Sequence, residues 1–465
     1  MNASPSTFGS QNFGSLDLGD IRRSRRLAIL LDIMCRHPGS SLPDKLATPK
    51  DLRSFYRLMD CERLTHPCVM QGHADETRRQ IAALDENATV LILHDATELD
   101  YTSKKSLTEH LGQIGQGSRR GYICHNSLAV RAADGAVLGL VSQILHHRAD
   151  VPKNETIKQK RERADRESRL WVQGAKASGP APSGKLCVDI SDSLSDTFEY
   201  MSFEVAQGRH FVLRSREDRR LAEPLLRQDY LYAGVRKLAS MGERTIAVLP
   251  SPTRQKRQAK LQVSFAPVVL HSPGKTLGDY VKEPLSMWVV RVWEEATPRE
   301  EEPLEWILLT NVPIKTFADA QERVAWYERR PIVEEYHKGM KTGCGIELMQ
   351  FEKIERLEPA IAVISVLATQ LLRMRDAARA PDADIRRATE VIGTEYVEVL
   401  VKHYGKRLGT NPSIKNFYMH VARLGGHQNR KSDGFPGWIT LWRGWMKLES
   451  MVDGYRAARK RSGKS

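Results

Sequence analysis

The sequence predicts a mixed α/β protein with helical segments at both ends. From about residue 88, an apolar strand is followed by a hairpin, a helix and another strand, which is the alternation typical of a mixed α/β core. Between about 208 and 312 the pattern is almost entirely β, and helices resume after Thr316. The N-terminal segment and the last hundred or so residues carry helical periodicity. These observations predict a central α/β region that contains a β insertion and is flanked by helices.

The N-terminal helices can be located from their caps. Residues 1 to about 18 are polar and rich in Gly and Ser, so we expect them to be disordered. Asp20 is a suitable N-cap for the helix that follows, and Thr48 with Pro49 begins a second helix. Two short helices bearing several arginines are typical of a small DNA-binding module, or of a plain helical subdomain whose arginines are solvated.

Apolar runs and turn residues mark the central elements. Val90 to Leu93 is a buried-strand pattern that ends at His94 and Asp95, and Asp134-Gly135 separates two apolar runs, which indicates a hairpin. Residues 158–178 predict a helix, and "KLCVDISDSLSD" predicts a strand that ends in acids. The β insertion is predicted from five runs: "HFVLRS", "RTIAVLP", "KLQVSFAPVVL", "SMWVVRVW" and "EWILLTNVP".

The C-terminal region is predicted to be helical. "PAIAVISVLATQLLRMRDAARA" is apolar on most faces, so we expect a buried helix. Trp438, Trp442 and Trp445 follow on a later helix, where they can belong to the core or to a subunit interface.

Composition and charge predict a cytoplasmic protein with a polyanionic partner. The first twenty residues contain no apolar segment of signal length, and no run is expected to span a membrane. The six cysteines are scattered, which favours reduced thiols over a zinc site or disulfides. Lys and Arg number 71 against 57 acids, a net charge of +14, and they cluster in local runs. This excess favours contact with nucleic-acid phosphates, whereas any single run is also typical of a solvated face.

Acids at the ends of buried strands are candidates for a metal site. Asp95 ends the first predicted strand, and three further aspartates surround the end of a later one: Asp189, Asp192 and Asp196. Carboxylates held rigidly at a sheet edge suit two divalent cations that act on a phosphodiester. Position alone does not choose among the three later aspartates.

The stretch "YERRPIVEEYHKGMKTGCGIE" contains two adjacent glutamates. Pro331 suits the first turn of a helix, so it divides the stretch between two helices. At about 100° per residue, Glu334 shares a face with three basic or potentially basic residues, His337, Lys338 and Lys341, whereas Glu335 faces away. Such a face can hold a metal-binding acid beside a DNA phosphate, but ordinary surface pairing produces the same pattern.

The same stretch carries a family motif. Tyr327, Arg330, Glu334 and Lys341 fit Y-(2)-R-(3)-E-(6)-K, and the chain thereby resembles the IS-four-type DDE transposases, the insertion-sequence group that includes the Tn-five transposase. "HDATELDYT" is similar to the family's first-aspartate strand and "SRRGYICH" to the segment before its second strand. "FVLRS" and "EWILLTNVPI" resemble its β insertion, "ARLGG" its C-terminal region, and "LGDIRRSRRLAIL" and "SFYRLMD" its end-binding domain. The resemblance covers nearly the whole chain in order.

The resemblance implies an α/β fold: an RNase H-like catalytic core with an inserted β-sheet subdomain, flanked by N-terminal and C-terminal helical domains. The implied domains are an end-binding domain over 1–75, a catalytic domain over 76–365 with its insertion over about 208–312, and a dimerisation domain over 366–465. The family pattern D-x-x-x-D-x-x-x-Y fits Asp192, Asp196 and Tyr200, which selects Asp192. The implied catalytic and metal-binding triad is therefore Asp95, Asp192 and Glu334.

The resemblance also implies the DNA contacts and the reaction. The DNA-binding residues would be Arg22, Arg23, Arg26, Arg53, Tyr56, Arg57, Arg214, Trp306, Tyr327, Arg330, Lys338 and Lys341. Trp306 would stack on a flipped base, although a tryptophan in the core of a strand is the plain alternative. The triad would hold two Mg²⁺ ions, for which Mn²⁺ can substitute, while a homodimer on double-stranded DNA cuts the element ends, forms and opens a hairpin, and joins the ends to target DNA.

Two other functions stay open at this point. One is a nuclease of the same fold that hydrolyses DNA without joining strands. The other is a catalytically inactive DNA-binding protein, either a repressor of transposition or a domesticated host protein. The expected location of the protein is the bacterial cytoplasm, in association with the nucleoid and without a membrane.

Overall fold

The protein has a mixed α/β fold, as predicted, in which helices flank one large mixed sheet. The computed structural model describes residues 7–36, 41–46, 48–148, 154–156, 159, 163, 165–248, 257–273, 283–295, 297, 301, 303–430 and 433–462. The described helices are α1 (Phe8–Phe13), α2 (Ile21–Arg36), α3 (Leu42–Lys45), α4 (Pro49–Met59), α5 (His66–Ala82), α6 (Leu170–Ser178), α7 (Phe198–Ala206), α8 (Leu231–Val235), α9 (Phe317–Tyr327), α10 (Pro331–Lys338), α11 (Ile354–Arg379), α12 (Thr394–Tyr404), α13 (Ile414–Leu424) and α14 (Trp438–Ser462). The strands are β1 (Thr89–Asp100), β2 (Gly112–Gln113), β3 (Arg120–Arg131), β4 (Val137–His146), β5 (Leu186–Ser191), β6 (His210–Arg214), β7 (Arg220–Leu225), β8 (Gln228–Tyr230), β9 (Gly242–Val248), β10 (Arg257–Leu270), β11 (Leu285–Glu294) and β12 (Glu305–Thr310).

The strands form a single sheet that includes the predicted β insertion. Its order is β2-β3-β1-β5-β6-β12-β11-β10-β7-β8, with β4 paired to β3 and β9 paired to β10. β1 is antiparallel to β3 and parallel to β5, β5 is parallel to β6, and β12 returns antiparallel to β6. The five predicted strands of the insertion are present, but they continue the core sheet instead of forming a sheet of their own. β7, β8 and α8 lie between them and were not predicted.

β1 is longer than its apolar run predicts. Its parallel pairing with β5 ends at His94 and Ser191, whereas its antiparallel pairing with β3 continues to Asp100. The expectation that Asp95 ends the strand is therefore wrong. Asp95 instead occupies the first β1 position that has no partner on the β5 side, so its carboxylate lies where the parallel part of the sheet opens.

The hairpin and the helix after it agree with prediction to different degrees. The β3–β4 hairpin turns at Asp134-Gly135 as expected, and Gly135 has a φ of +74°, a conformation that glycine adopts without strain. The helix predicted over 158–178 is described only from Leu170, after a 3₁₀ turn over Glu167–Arg169. Much of its first half lies outside the described residues.

Both predicted N-terminal helices are present with their predicted starts. Asp20 Oδ1 accepts a hydrogen bond of 2.9 Å from the Arg22 amide, and the Thr48 side chain caps α4 by accepting one of 3.1 Å from the Asp51 amide. Pro49 is the first residue of α4. A further helix that was not predicted, α3, carries Lys45.

The expected disorder over residues 1–18 is wrong for the part that the structure describes. α1 begins after Thr7 and buries Phe13 completely. Gly9 explains the close packing of α1 on α2, since a Cβ at that position would lie 2.0 Å from the carbonyl oxygen of Ala28. The polar composition of this segment therefore did not predict α1, which is held against the core by the buried side chain of Phe13.

The C-terminal helices form part of the core, as predicted. α11 is long and apolar enough to cross a membrane by length and composition, yet 83% of its apolar window is buried inside the protein. Trp438 and Trp442 are buried, and Trp445 stacks on Tyr396 with ring centroids 5.4 Å apart, so the core interpretation of these tryptophans is the one observed. All six cysteines are free thiols.

The two predicted domain boundaries fall inside helices. α5 runs continuously through residue 75, and α11 runs through residue 365. A buried hydrogen bond also joins the first predicted domain to the second. Lys45, which is almost fully buried, donates from Nζ to the carbonyl oxygen of Cys344 at 2.7 Å. The division at these positions stays a prediction.

Candidate active site and nucleic-acid interface

Two of the predicted acids lie side by side at the edge of the parallel strands. Asp95 follows the last β1 residue that pairs with β5, and Asp192 follows the last residue of β5. Asp192 also caps a short 3₁₀ turn over Ser193–Ser195, since its Oδ1 accepts a hydrogen bond of 2.9 Å from the Leu194 amide. The parallel register therefore brings together two carboxylates that are far apart in sequence.

The other two aspartates considered have structural partners. Asp189 is buried within β5, where it accepts hydrogen bonds from His94 Nε2 at 2.8 Å and from Arg209 at 2.6 Å. Asp196 is buried and accepts from the backbone amides of Arg216 and Glu217 and from the Arg219 guanidinium. Position in the sequence left the three aspartates equivalent, whereas the contacts leave Asp192 as the one that faces Asp95.

The third predicted acid reaches the same place from α10. A new helix starts at Pro331, as predicted, whereas α9 already ends at Tyr327 and not at Arg330 as expected. Arg330 lies between the two helices, and its guanidinium is 3.4 Å from Asp95 Oδ2, 3.5 Å from Asp192 Oδ2 and in an ion pair with Glu334. The structure thus gathers the three predicted acids around one arginine.

Glu335 has a different environment, as the helical geometry predicted. It forms an ion pair with Arg375, a buried arginine of α11 that also pairs with Asp376 at 2.6 Å. A third face of α10 is apolar and packs into the core, where Val333 and Tyr336 are completely buried. The two adjacent glutamates therefore point to separate charge clusters.

The donor set of the three acids has the chemistry that Mg²⁺ requires. All the donors are carboxylate oxygens, and no thiol or imidazole is among the three predicted ligands. Among the residues that the structure describes, no three His, Cys, Asp or Glu side chains are close enough together to hold a metal ion as they stand. The Arg330 guanidinium occupies the space between the carboxylates instead.

Burial raises the pKa of Asp95 to about 6. The Arg330 guanidinium acts in the opposite direction, while the nearby carboxylates of Asp192 and Glu334 raise the pKa further. Three carboxylates near a single guanidinium leave an excess of negative charge, so this place attracts cationic groups.

The predicted basic face of α10 requires correction at two of its three residues. Burial lowers the pKa of His337 to about 3, so this imidazole is neutral. Gly339–Gly343 forms a π turn, which ends the 100° spacing, and Lys341 instead donates to the Glu98 carbonyl at 2.8 Å and pairs with Glu347 at 3.2 Å. Lys338 remains exposed on α10.

A buried polar chain behind the site was not predicted. The Asn126 amide donates to His337 Nε2 at 3.0 Å, which places the proton of this neutral imidazole on Nδ1, 3.9 Å from Asp95 Oδ2. Gln143 in turn donates to Asn126 at 2.7 Å and to Ser365 at 2.9 Å. The sequence feature that could have predicted this network is the presence of polar residues, Asn126 and Gln143, in the otherwise apolar strands β3 and β4.

A cavity of about 640 Å³ is lined by Arg330, the arginine that contacts the three acids. Four predicted DNA-binding residues line it together with Pro331: Arg214, Trp306, Tyr327 and Arg330. Trp306 is half-buried in β12 and meets Tyr327 edge to face, with ring centroids 5.9 Å apart. Arg214 is exposed, while Tyr327 is buried, and burial raises the pKa of its hydroxyl. The rest of the wall comes from β9, Leu304 and Glu328, whose carboxylate pairs with Arg244. The cavity therefore combines two arginines with aromatic and aliphatic walls.

The N-terminal residues predicted to bind DNA fall into two groups. Arg22, Arg23, Arg53 and Arg57 are exposed, although Arg22 pairs with Asp20 and Arg23 donates to the Leu18 carbonyl. Arg26 is less exposed and is occupied by Asp51 and Ser54. Tyr56 is half-buried and packs against Phe351, with ring centroids 5.5 Å apart.

Residues 5–64 match the family model described as "Transposase DNA-binding". The match covers α1 to α4 and includes all six of the N-terminal residues predicted to contact DNA. It supports a transposase that binds DNA through its N-terminal helices, which is the partner that the charge excess also indicates.

Proposed function

We propose that the protein is a DDE transposase of the IS-four type that moves DNA by cut-and-paste transposition. The observation that carries the proposal is the convergence of Asp95, Asp192 and Glu334 on one arginine from three distant segments. The transposase DNA-binding match supplies independent support, because it lies outside the region that contains these acids.

The central sheet is proposed to be an RNase H-like core. Its support is the position of the acids: one in β1, one directly after the parallel neighbour β5, and one on a helix that packs near their exposed ends. The predicted insertion then corresponds to strands β6 to β12, although they extend the same sheet.

Asp95, Asp192 and Glu334 would hold the two Mg²⁺ ions, and Mn²⁺ would substitute for them. When bound, the ions would activate the attacking oxygen and stabilise the leaving oxygen at a phosphodiester. The His337–Asn126 pair orients the imidazole towards Asp95 and limits its motion. Arg214 and Lys338 are exposed next to this place and are suited to position DNA phosphates, and we propose the same role for Tyr327, Arg330 and Lys341.

The cavity beside the acids is proposed to receive a base during hairpin formation at the element end. Trp306 presents part of its ring to this space and is braced by Tyr327. A flat aromatic face stabilises an unpaired base by stacking, which is sequence-tolerant. On the basis of the family resemblance, we also propose that the protein forms a homodimer on double-stranded DNA through its C-terminal helices.

The experiment that tests the proposal compares two adjacent glutamates. Purified wild-type protein is incubated with Mg²⁺ and a labelled duplex that carries one end of the element. Glu334→Ala, Asp95→Ala and Asp192→Ala should abolish cleavage while leaving binding of the duplex largely intact.

Glu335→Ala is the matched control, and it should cleave at a rate close to that of the wild type because Glu335 pairs with Arg375 instead. The assignment is wrong if Glu334→Ala cleaves normally and Glu335→Ala does not. Cleavage without joined products would favour the nuclease, and binding without cleavage by the wild type would favour the inactive DNA-binding protein.

A further inference from the structure

Arg330 has an unusual position for a residue that is expected to bind DNA. Its side chain is only 17% exposed, and its guanidinium faces the three acids and not the solvent. The Nε atom is buried and has no hydrogen-bond partner among the residues that the structure describes. In this arrangement the arginine serves as an internal counter-ion, and one of its donors is left unsatisfied.

The guanidinium and a divalent cation need the same oxygens. Arg330 lies 3.4 Å from Asp95 Oδ2 and 3.5 Å from Asp192 Oδ2. A metal ion bound to these carboxylates at ordinary Mg–O distances of about 2.1 Å would fall in the volume that the guanidinium fills. Two cations at this separation also repel each other strongly in a partly buried site. The two forms of the site are therefore mutually exclusive.

The adjoining cavity provides a second position for the arginine. Arg330 lines both the acid cluster and the cavity of about 640 Å³, where Arg214 forms part of the exposed rim. A guanidinium that leaves the carboxylates can enter this space by rotation of its own side chain. There its fork of donors, including Nε, is suited to a phosphate oxygen pair.

We propose that Arg330 exchanges between two anionic partners: the three carboxylates in the metal-free protein, and a DNA phosphate in the adjoining cavity once divalent cations bind the carboxylates. This inference rests on the proposed function. Its consequence is that divalent cation and DNA end bind cooperatively, because each favours the same position of Arg330, and the coupling must be reciprocal.

The first test measures Mn²⁺ binding to the free protein by electron paramagnetic resonance. Arg330→Gln removes the competing cation, so Mn²⁺ affinity should rise on the order of tenfold, the equivalent of about 1.4 kcal/mol. Without metal, the melting temperature of the variant should fall, because the carboxylates lose their counter-ion. Arg329→Gln is the matched control, since Arg329 donates to the Ala133 carbonyl at 3.1 Å, and its Mn²⁺ affinity should equal that of the wild type.

The second test measures the coupling. Addition of an element-end duplex should raise the Mn²⁺ affinity of the wild type and of Arg329→Gln, but not that of Arg330→Gln. Arg330→Lys keeps a cation without the fork, so its Mn²⁺ affinity should lie between those of the wild type and Arg330→Gln. This second variant keeps the inference testable if Arg330→Gln fails to fold.

The outcomes separate this inference from the proposed function. If Asp95→Asn and Asp192→Asn bind Mn²⁺ as well as the wild type, the acids are not metal ligands and both proposals fail. If these variants lose Mn²⁺ binding, but Arg330→Gln and Arg330→Lys both bind Mn²⁺ with the affinity of the wild type, only the exchange of Arg330 is overturned.

Discussion

Asp192 differs from its neighbours Asp189 and Asp196 in what its carboxylate touches. The two neighbours accept hydrogen bonds from partly buried arginines. Asp192 instead accepts a hydrogen bond from the Leu194 amide with one oxygen and directs the other towards Arg330. An acid whose partners are already arranged for stability cannot also bind a substrate or a cation without loss of those partners. Contacts of this kind depend on tertiary structure, which explains why the sequence alone left the three aspartates equivalent.

Substitution of these aspartates should separate catalysis from stability. Asp196→Asn should lower the free energy of unfolding by about 3 kcal/mol, because it leaves the Arg219 guanidinium without its charge partner. Asp192→Asn keeps the cap on the Leu194 amide, so its stability should change by less than about 1 kcal/mol while DNA cleavage is lost. Urea unfolding and a cleavage assay on both variants check this. Equal destabilisation of the two variants would contradict it.

His73 should make the protein less stable in mild acid. Its Nε2 accepts from the Leu140 amide at 3.0 Å and its Nδ1 bonds to Asn12 Oδ1, so both nitrogens are committed to the neutral form, and burial lowers the pKa to about 3. In the unfolded chain the pKa is about 6.5, so the unfolded state takes up a proton that the folded state refuses. Stability therefore falls as the pH drops below about 6.5, by about 1.4 kcal/mol for this residue between pH 7.5 and 5.5.

His73→Gln isolates this contribution. A glutamine amide can donate to Asn12 and accept from Leu140 but does not titrate in this range. The loss of stability between pH 7.5 and 5.5, measured by urea unfolding, should be smaller in the variant by about 1.4 kcal/mol. The same loss in both proteins would show that His73 is not held neutral.

At the scale of the elements, close helix packing in the C-terminal region depends on glycine. α13 and α14 cross where Gly425 and Gly444 meet the facing backbone, and a Cβ at Gly444 would lie 1.8 Å from the Val421 carbonyl oxygen. The sequence showed the motif "ARLGG" and a Trp-rich helix, but it did not show that the two elements touch through their glycines.

Gly444→Ala should therefore separate these helices and destabilise the protein by about 2 kcal/mol or more. The control is Gly454→Ala on the same helix, where nothing lies within 4 Å of the added Cβ. That substitution should be neutral or stabilising by up to about 1 kcal/mol, because alanine has the higher helix propensity. Thermal unfolding of both variants gives the comparison, and a stable Gly444→Ala variant would contradict the packing described.

The elements best predicted from sequence are those with strong local signals. Pro331 marked the break between α9 and α10, and Thr48 with Pro49 marked the start of α4, because caps and prolines act over a few residues. The errors arose from longer-range causes. The extent of β1 is set by pairing with β3, and the position of Lys341 is set by a π turn, and neither is visible in local periodicity.

At the scale of the whole molecule, the mixed α/β class could be predicted because the alternation of apolar runs is a property of the entire chain. The continuity of the β insertion with the core sheet could not be predicted, since it depends on β12 returning beside β6. The assembly of the acids needed both the sheet register and the placement of α10. The family motif identified Asp95, Asp192 and Glu334, and the fold brings these three residues together around Arg330.

The charge excess of the chain makes a prediction about salt. Arg53 and Arg57 are exposed on α4 within the segment that matches the transposase DNA-binding family. If both contact phosphates, the double variant with alanine at these positions should reduce the slope of log affinity against log salt by about 1.8. Arg26→Ala is the control, because Arg26 is occupied by Asp51, and it should leave the slope unchanged. Fluorescence anisotropy at several salt concentrations gives the slopes, and an unchanged slope in the double variant would remove these arginines from the interface.

A joining assay with the wild type and Asp192→Asn tests whether the three acids catalyse cut-and-paste transposition. Each protein is incubated with Mg²⁺, a linear duplex from the end of the element and a circular target plasmid. We expect the wild type to cleave the duplex and join it to the plasmid, and Asp192→Asn to bind the duplex but yield neither product. Joined products from Asp192→Asn, or none from a wild type that binds the duplex, would contradict it.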